Sequence, residues 1–159
     1  MTGRSLLVLA VLVIACEGVG IVGAGFTAPA IADWYRSLEQ PSWTPPDWLF
    51  GPVWVALYAL MAVAAWLVWR KGRVPGVWTA GALFCVQLAL NAIWTPIFFG
   101  LRQPGWALLD ILLLWAAILL TLVAFARVRP LAAGLLAPYL TWVTYAAALN
   151  FALWRLNPI

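Results

Sequence analysis

The sequence has 159 residues, of which 66% are hydrophobic and 9% are charged, and its mean hydropathy is +0.99. A water-soluble domain of this length cannot bury so much apolar surface, so the composition excludes one and indicates a protein that lies in lipid. The formal net charge of +4 is explained by Lys and Arg beside the apolar runs, and it gives no reason to expect nucleic acid as a partner.

Five apolar runs follow one another along the chain, and each is long enough to cross a bilayer as a helix, which takes about 20 residues. Helices are expected because lipid offers no partner for an unpaired backbone N–H or C=O group. The later runs are joined by short links, so neighbouring helices should be antiparallel within one domain that covers residues 1–159. The predicted spans are about 6–27, 49–69, 75–100, 104–126 and 130–154.

The first and third spans each carry a stripe of small residues at every fourth position. Such stripes let helices approach closely in lipid, where packing replaces the hydrophobic driving force. Each stripe is compatible with a contact inside the bundle or with the seam of a dimer. The stripes are Cys16, Gly20, Ala24 and Ala28 on the first span, and Gly81, Cys85 and Ala89 on the third.

The only long connector, at about residues 28–48, is dense in tryptophan and proline. Trp34, Trp43 and Trp48 lie in it, and an indole ring favours the boundary between apolar and wet phases. The prolines stiffen the connector and reduce the entropy that is lost when it orders. A stiff aromatic loop at the membrane surface predicts a lid over an apolar cavity, with Trp43 among the residues that retain a ligand.

Polar and aromatic side chains within four of the spans recur at helical spacing, so they share faces of the helices. Converging faces would line a cavity with aromatic walls and a few hydrogen-bonding groups, which is typical of a small-molecule site. Alternatively, Gln87, Asn91 and Asn150 form hydrogen bonds between helices and hold the bundle together. The faces are Trp54, Tyr58 and Met61 on the second span, Gln87, Asn91 and Trp94 on the third, Trp106 and Asp110 on the fourth, and Trp142, Ala146 and Asn150 on the fifth.

Only two carboxyl groups, those of Glu17 and Asp110, lie inside the predicted spans. Each is expected to be hydrogen-bonded or protonated within the bundle, and a proton relay is the alternative. The sequence has no histidine, so the commonest haem ligand and the commonest general base are both missing. It also has no phosphate-binding glycine loop, nucleophile motif or cluster of zinc ligands. We therefore expect neither a metal site nor a conventional hydrolase, kinase or metalloenzyme.

The basic residues flank the spans unequally, and this asymmetry predicts the orientation in the membrane. Six lie on the side of the N-terminus and three on the other side, so the N-terminus is expected in the cytoplasm of a bacterial cell. The six are Arg4, Arg70, Lys71, Arg73, Arg127 and Arg129, and the three are Arg36, Arg102 and Arg155.

Three ordered blocks of the sequence resemble the translocator protein family, also called the tryptophan-rich sensory protein or TspO/MBR family. The first block is PSWTPPDWLFGPVWVALY at residues 41–58, the second is QLALNAIWTPIFFG at 87–100, and the third is PYLTWVTYAAALN at 138–150. Arg102 and the GWAL run at 105–108 follow the second block in the family's pattern. Together with the length and the five-span layout, the blocks extend the resemblance over essentially the whole chain.

The resemblance implies a five-helix membrane protein, usually a homodimer, with an internal pocket for porphyrins such as protoporphyrin IX or haem and for isoquinoline- or benzodiazepine-type molecules. The porphyrin is then a ligand, and no cofactor is required. Residues 149–155 lack the tyrosine of the animal sterol motif, which argues against sterol binding. Ala82 and Val86 occupy the register of a glycine pair in some members, so the dimer seam stays open. By motif, the pocket residues would be Tyr35, Trp54, Asn91, Trp94, Trp106, Trp142, Ala146 and Asn150.

These observations support, as a first hypothesis, a membrane protein that binds tetrapyrroles and similar flat hydrophobic molecules and acts in their sensing, sequestration or transport. The alternative is an enzyme that degrades porphyrin in light. Its catalytic candidates are Trp54, Trp142 and Tyr35, because radical chemistry needs no general acid or base. A true carrier usually shows internal repeats or paired broken helices, and neither pattern is present in the sequence.

Overall fold

The computed structural model describes residues 2–157, and within them the chain forms five long helices and no strand. All five are long and apolar enough to cross a membrane, which confirms the predicted all-α bundle. The helices are α1 (Gly3–Ala32), α2 (Phe50–Trp69), α3 (Val77–Thr95, prolonged by a π-helical turn at Pro96–Gly100), α4 (Pro104–Val128) and α5 (Pro130–Leu156).

Proline and glycine set several of the helix boundaries. Pro104 and Pro130 occupy the first turns of α4 and α5, where a missing N–H costs nothing. Pro130 also disfavours a helical conformation at Arg129, so this residue alone, in an extended conformation, links the two helices. The third helix begins two residues later than predicted. Gly76 has a φ of +90°, which keeps the turn before it out of the helix.

The first helix continues past its predicted end at residue 27 and through Pro29 to Ala32. Its 30 residues make it about 45 Å long at 1.5 Å per residue, more than the roughly 30 Å of a hydrocarbon core. The connector is correspondingly shorter than predicted and covers residues 33–49, which we call the α1–α2 loop. It contains two single 3₁₀ turns, at Tyr35–Ser37 and Asp47–Leu49.

The helices form a closed ring in which each contacts two neighbours, in the order α1, α2, α5, α4 and α3, and α2 also touches α3. The α1–α2 loop covers one end of this ring, which we call the loop end. The half away from the loop is filled by close packing, because alanines such as Ala62, Ala64 and Ala132 let the helices approach. At the far end, the Trp66 indole N–H donates to the Ser5 carbonyl at 2.9 Å, which ties α2 to α1.

The two stripes of small residues have different surroundings. On α1, Cys16 is fully buried, and a Cβ atom added at Gly20 would lie 2.7 Å from Tyr58 Cε2, so this part of the first stripe is an internal contact with α2. On α3, the second stripe of Gly81, Cys85 and Ala89 is exposed on the outside of the bundle. Cys16 and Cys85 are both free thiols.

Candidate functional site

A cavity of about 380 Å³ lies inside the ring, in the half of the bundle nearest the α1–α2 loop. All five helices and the loop contribute to its walls. Most of the wall is apolar, and aromatic rings make up much of it. The aromatic lining residues are Tyr35, Phe50, Trp54, Tyr58, Trp94, Phe98, Phe99 and Trp142.

Seven of the nine residues predicted from the sequence to contact a ligand line this cavity. They come from the loop and from three helices that are far apart in sequence, so the predicted faces of α2, α3 and α5 do converge. The seven are Tyr35, Trp54, Asn91, Trp94, Trp142, Ala146 and Asn150.

The other two, Trp106 and Trp43, do not line the cavity. Trp106 is 66% exposed and borders an outward-facing groove of about 310 Å³ together with Asp110. The expected convergence fails for α4 because the cavity meets this helix at Ile111 and Leu114, beside the buried Asp110 and away from the exposed Trp106. Trp43 lies on the outside of the loop, where its ring meets the edge of the Tyr145 ring at 5.7 Å.

The amide groups of the two asparagines in the wall form hydrogen bonds between helices. Asn91 accepts from the Tyr58 hydroxyl and donates to the Tyr139 hydroxyl at 3.0 Å, which connects α3 with α2 and α5. Asn150 accepts from the Trp94 indole N–H at 3.1 Å and donates to the backbone carbonyl of residue 104 at 2.8 Å. Asn91 and Asn150 therefore form hydrogen bonds between helices, as the alternative interpretation of the sequence has it. These bonds fix the wall of the cavity.

Gln87 is also buried, but neither its amide oxygen nor its amide nitrogen meets a hydrogen-bonding partner within residues 2–157. It does not line the cavity. The alternative that it bonds between helices therefore does not hold in the described part of the chain.

The aromatic rings of the wall brace one another. Trp54 stacks on Tyr58 with ring centroids 5.4 Å apart, and Trp94 stacks on Phe98 at 5.0 Å. Trp142 meets the ring of Phe50 edge-on at 5.9 Å. Its indole N–H is buried and has no acceptor within residues 2–157. These contacts between rings hold the aromatic wall in position.

The α1–α2 loop is fastened over the loop end of the cavity. Tyr35 points inward, is 3% exposed and packs against Phe99 at 5.7 Å. Burial raises the pKa of Tyr35 to about 12, and the nearby Asp47 and Tyr145 add to the effect. The loop is closed on itself by an ion pair of 3.1 Å between Arg36 and Asp47.

Two contacts hold the loop to α5. Asn157 bonds the Glu39 backbone at both its N–H and its carbonyl, at 2.9 and 3.0 Å. The Tyr145 hydroxyl donates to the Trp43 carbonyl at 2.8 Å. The loop is therefore attached at its middle as well as at its ends, and Trp43 contributes to the cover through its backbone.

The exposed residues of the lining all belong to α1 and α2. They are Ile21, Ala24 and Ala28 on one helix and Gly51 and Val55 on the other. Every other lining residue is partly or fully buried. The cavity therefore opens sideways between α1 and α2, toward the surface that lipid covers in a membrane.

The sequence is similar to proteins of one known family. Residues 11–155 match the model of the TspO/MBR family. The chain is 45% identical to the tryptophan-rich protein TspO of Chlorobaculum tepidum, over 98% of this chain and 99% of that protein. It is 46% identical to the translocator protein of Homo sapiens, over 86% and 82% of the two chains, and 44% identical to protein CrtK of Rhodobacter capsulatus, over 97% and 95%.

The chain belongs to the TspO/MBR family. This confirms the resemblance that the three sequence blocks carry. Together with the five apolar helices, it makes the chain an integral, multi-pass membrane protein.

Sequence reasoning missed the α1 wall of this TspO/MBR protein. Glu17, Gly23, Thr27 and Ile31 line the cavity, and none was a candidate site residue. A signal was available, because a lone carboxyl in an apolar span marks a functional face by default. The small residues around Glu17 obscured it, since they indicate close helix packing equally well.

Proposed function

We propose that this TspO/MBR protein binds tetrapyrroles, protoporphyrin IX or haem among them, and similar flat hydrophobic molecules inside the bundle, and that it acts in their sensing, sequestration or transport. The observation that carries the proposal is the aromatic cavity that opens toward lipid between α1 and α2. Relatives are named translocator protein and tryptophan-rich sensory protein, which agrees with a role in detecting or moving small molecules.

Flat ligands suit this cavity for two physical reasons. Their faces stack on the indoles of Trp54 and Trp142, and each Å² of apolar surface that leaves water contributes about 25 cal/mol. The volume of about 380 Å³ lies within the lower part of the range for ligand pockets, roughly 300–1,000 Å³. A macrocycle is therefore expected to fill the cavity and to extend into the opening between α1 and α2.

Recognition in this proposal rests on shape and stacking. The amides of Asn91 and Asn150 each use their oxygen and one N–H in helix contacts, which fixes their orientation and leaves one N–H of each for a ligand. Without histidine, imidazole cannot ligate the iron of haem.

A titration with protoporphyrin IX, followed by quenching of tryptophan fluorescence, tests the proposed site. Trp142→Ala removes a ring from the cavity wall and is expected to weaken binding by about tenfold or more, equivalent to about 1.4 kcal/mol. Trp106→Ala is the matched control, because it also removes one indole but from outside the cavity. Equal affinity in the two variants would place the ligand elsewhere.

We propose further that the α1–α2 loop is a lid. Its inward Tyr35 gains contacts from a filled cavity, so ligand should favour the closed loop and stabilise the fold by mass action. Amide hydrogen exchange over residues 33–48 is expected to slow when protoporphyrin is present. Unchanged exchange at saturating ligand would make the loop a static cover.

A second candidate function is light-dependent degradation of the bound porphyrin. The observation that favours it is that all three candidates, Trp54, Trp142 and Tyr35, line one cavity and can reach one ligand. Illumination of the complex is then expected to yield a new pigment spectrum over repeated turnovers, lost in Trp54→Phe or Trp142→Phe. Bleaching at the rate of free porphyrin would leave binding as the function.

We also propose that the N-terminus lies in the cytoplasm, because the basic residues that flank the spans are more numerous on that side.

We propose in addition that the protein is a homodimer and that the exposed stripe on α3 forms the interface between the two copies. The stripe of Gly81, Cys85 and Ala89 is smooth and has no partner within residues 2–157. Across a two-fold axis the two Cys85 thiols would be close, so a short bis-maleimide should cross-link the protein in membranes. The cross-link is expected to vanish in Cys85→Ser and to persist in Cys16→Ser, and a monomer in both wild type and Cys16→Ser would contradict the seam.

A further inference from the structure

Glu17 lies near the middle of α1, so its carboxyl group is near the middle of a bilayer that this helix crosses centrally. It lies about 21 Å along the helix axis from either end of α1, at 1.5 Å per residue. The hydrocarbon core is about 30 Å thick, so a residue at this depth is far from water on both sides. A carboxyl there is expensive to maintain, which makes a function for it the default expectation.

Glu17 lines the cavity, and its carboxyl group is unpaired in the described part of the chain. Along α1, Glu17 is the lining residue furthest from the loop, so it marks the deep end of the cavity. It forms no hydrogen bond or ion pair within residues 2–157. The nearby Tyr58 hydroxyl already donates to Asn91, and no Lys or Arg is among the lining residues.

The charge of the other carboxyl group in the lining is compensated by a guanidinium group. Asp47 lies at the loop end and accepts from Arg36 through two guanidinium nitrogens, at 3.1 and 3.2 Å. The cavity is therefore electrostatically asymmetric: a compensated ion pair lies beside its covered end, and an uncompensated acceptor lies at its deep end. A ligand that fills the cavity brings its own groups to that acceptor.

We propose that Glu17 is the polar anchor of the cavity and selects flat aromatic ligands that present a basic nitrogen or an N–H donor at the deep end. The proposal rests on the proposed function, because it concerns the same cavity. Glu17 is partly buried in an apolar wall, where an acceptor without a donor is costly, and an N–H group or ammonium from the ligand supplies the missing bond. A carboxylate at the same place meets like charge, so acidic ligands are turned with their acid toward the loop end and Arg36.

A matched pair of planar probes tests this selection. 9-Aminoacridine and acridine-9-carboxylate share one ring system and differ in the charge of one substituent. Their binding to the detergent-solubilised protein is measured by quenching of tryptophan fluorescence, with empty micelles as the blank. Wild type is expected to bind the amine at least about tenfold more tightly than the carboxylate, since bonds to charged groups are the strong ones.

Two variants distinguish a specific effect of Glu17 on the affinity ratio from a general effect of negative charge. Glu17→Gln keeps the size of the side chain and is expected to reduce the amine-to-carboxylate affinity ratio by about tenfold. Asp110→Asn removes the other carboxyl of the spans, which lies in the outer groove, and should leave the ratio unchanged. Melting temperatures of both variants report whether the fold is intact, and Glu17→Ala repeats the measurement with a smaller side chain.

The outcomes distinguish this inference from the proposed function. Equal affinity of wild type for the two acridines, or an unchanged ratio in both Glu17 variants, overturns the role of Glu17. If Trp142→Ala still weakens protoporphyrin binding in that case, the cavity stands as the ligand site. If Trp142→Ala alters binding of neither porphyrin nor acridine, the cavity itself is not the site.

Discussion

At Gly20, helix α1 lies against the ring of Tyr58, and replacing this glycine with alanine tests how firmly that contact fixes the deep end of the cavity. A Cβ atom there would lie 2.7 Å from Cε2 and 3.0 Å from Cδ2 of the ring. Because carbon atoms in contact are about 3.5–4.0 Å apart, α1 or the ring must move by roughly 1 Å. The ring is not free to move, since its hydroxyl bonds Asn91 and its face stacks on Trp54.

Two opposing effects set the size of the change. Overpacking of this kind costs about 1–3 kcal/mol. Alanine is also favoured over glycine in a helix interior, by about 0.5–1 kcal/mol. Gly20→Ala is therefore expected to range from nearly neutral to about 2.5 kcal/mol less stable. Gly18→Ala is the matched control, because a Cβ atom at position 18 of the same helix meets no atom within 4 Å and should stabilise.

Thermal unfolding in detergent, followed by near-ultraviolet circular dichroism, measures both variants. The difference between them removes the helix-propensity contribution and isolates the overpacking cost of about 1–3 kcal/mol. Porphyrin affinity should fall in Gly20→Ala, because Tyr58 lines the cavity, and should stay at the wild-type value in Gly18→Ala. Equal stability of the two variants would show that α1 is free to shift, and the argument for a fixed deep end would fail.

Three further predictions each concern one side chain. Tyr58→Phe leaves the buried amide oxygen of Asn91 without its donor and is expected to cost about 1–2 kcal/mol in the same unfolding assay; an unchanged transition would mean that the oxygen has found another donor. Arg36→Ala breaks the ion pair within the loop and should speed porphyrin release in stopped-flow displacement, whereas Arg70→Ala removes a guanidinium that lies over the Trp66 ring at the far end and should not; equal rates would contradict the lid. The pKa of Tyr35 is raised by burial from 10.0 to about 12, so its neutral phenol contributes stability that is complete below pH 10 and lost as the pH rises through 12. The melting temperature should therefore fall more steeply over this range in wild type than in Tyr35→Phe, and parallel curves would contradict the burial of the phenol.

The number and order of the helices could be predicted because lipid leaves the backbone few choices. Boundaries were accurate where proline fixes them, at residues 104 and 130. The prediction was less accurate at residue 75, where a proline precedes a glycine of positive φ and the turn continues to Gly76. The predicted end of α1 is too early, because nothing in the sequence marks a stop before Asp33 except Pro29, and membrane helices tolerate an internal proline.

The inward face of α4 could not be predicted, and the reason is specific to membrane helices. This helix is apolar all round, so hydrophobic periodicity carries no information about which face is buried. The one-turn spacing of Trp106 and Asp110 predicts that both face the inside. They mark the outer groove, while Ile111 and Leu114, which resemble their neighbours, line the cavity.

The cavity stays open because the side chains that could fill it are held elsewhere. In the far half of the bundle, small residues such as Ala62 and Ala132 let the helices close together. In the loop half, large rings keep the helices apart, and hydrogen bonds prevent those rings from collapsing inward. Trp94 is held by Asn150 on α5, and Tyr58 is held by Asn91 on α3. The two amides that the sequence indicates as ligand contacts thus fix the position of the aromatic rings that line the cavity.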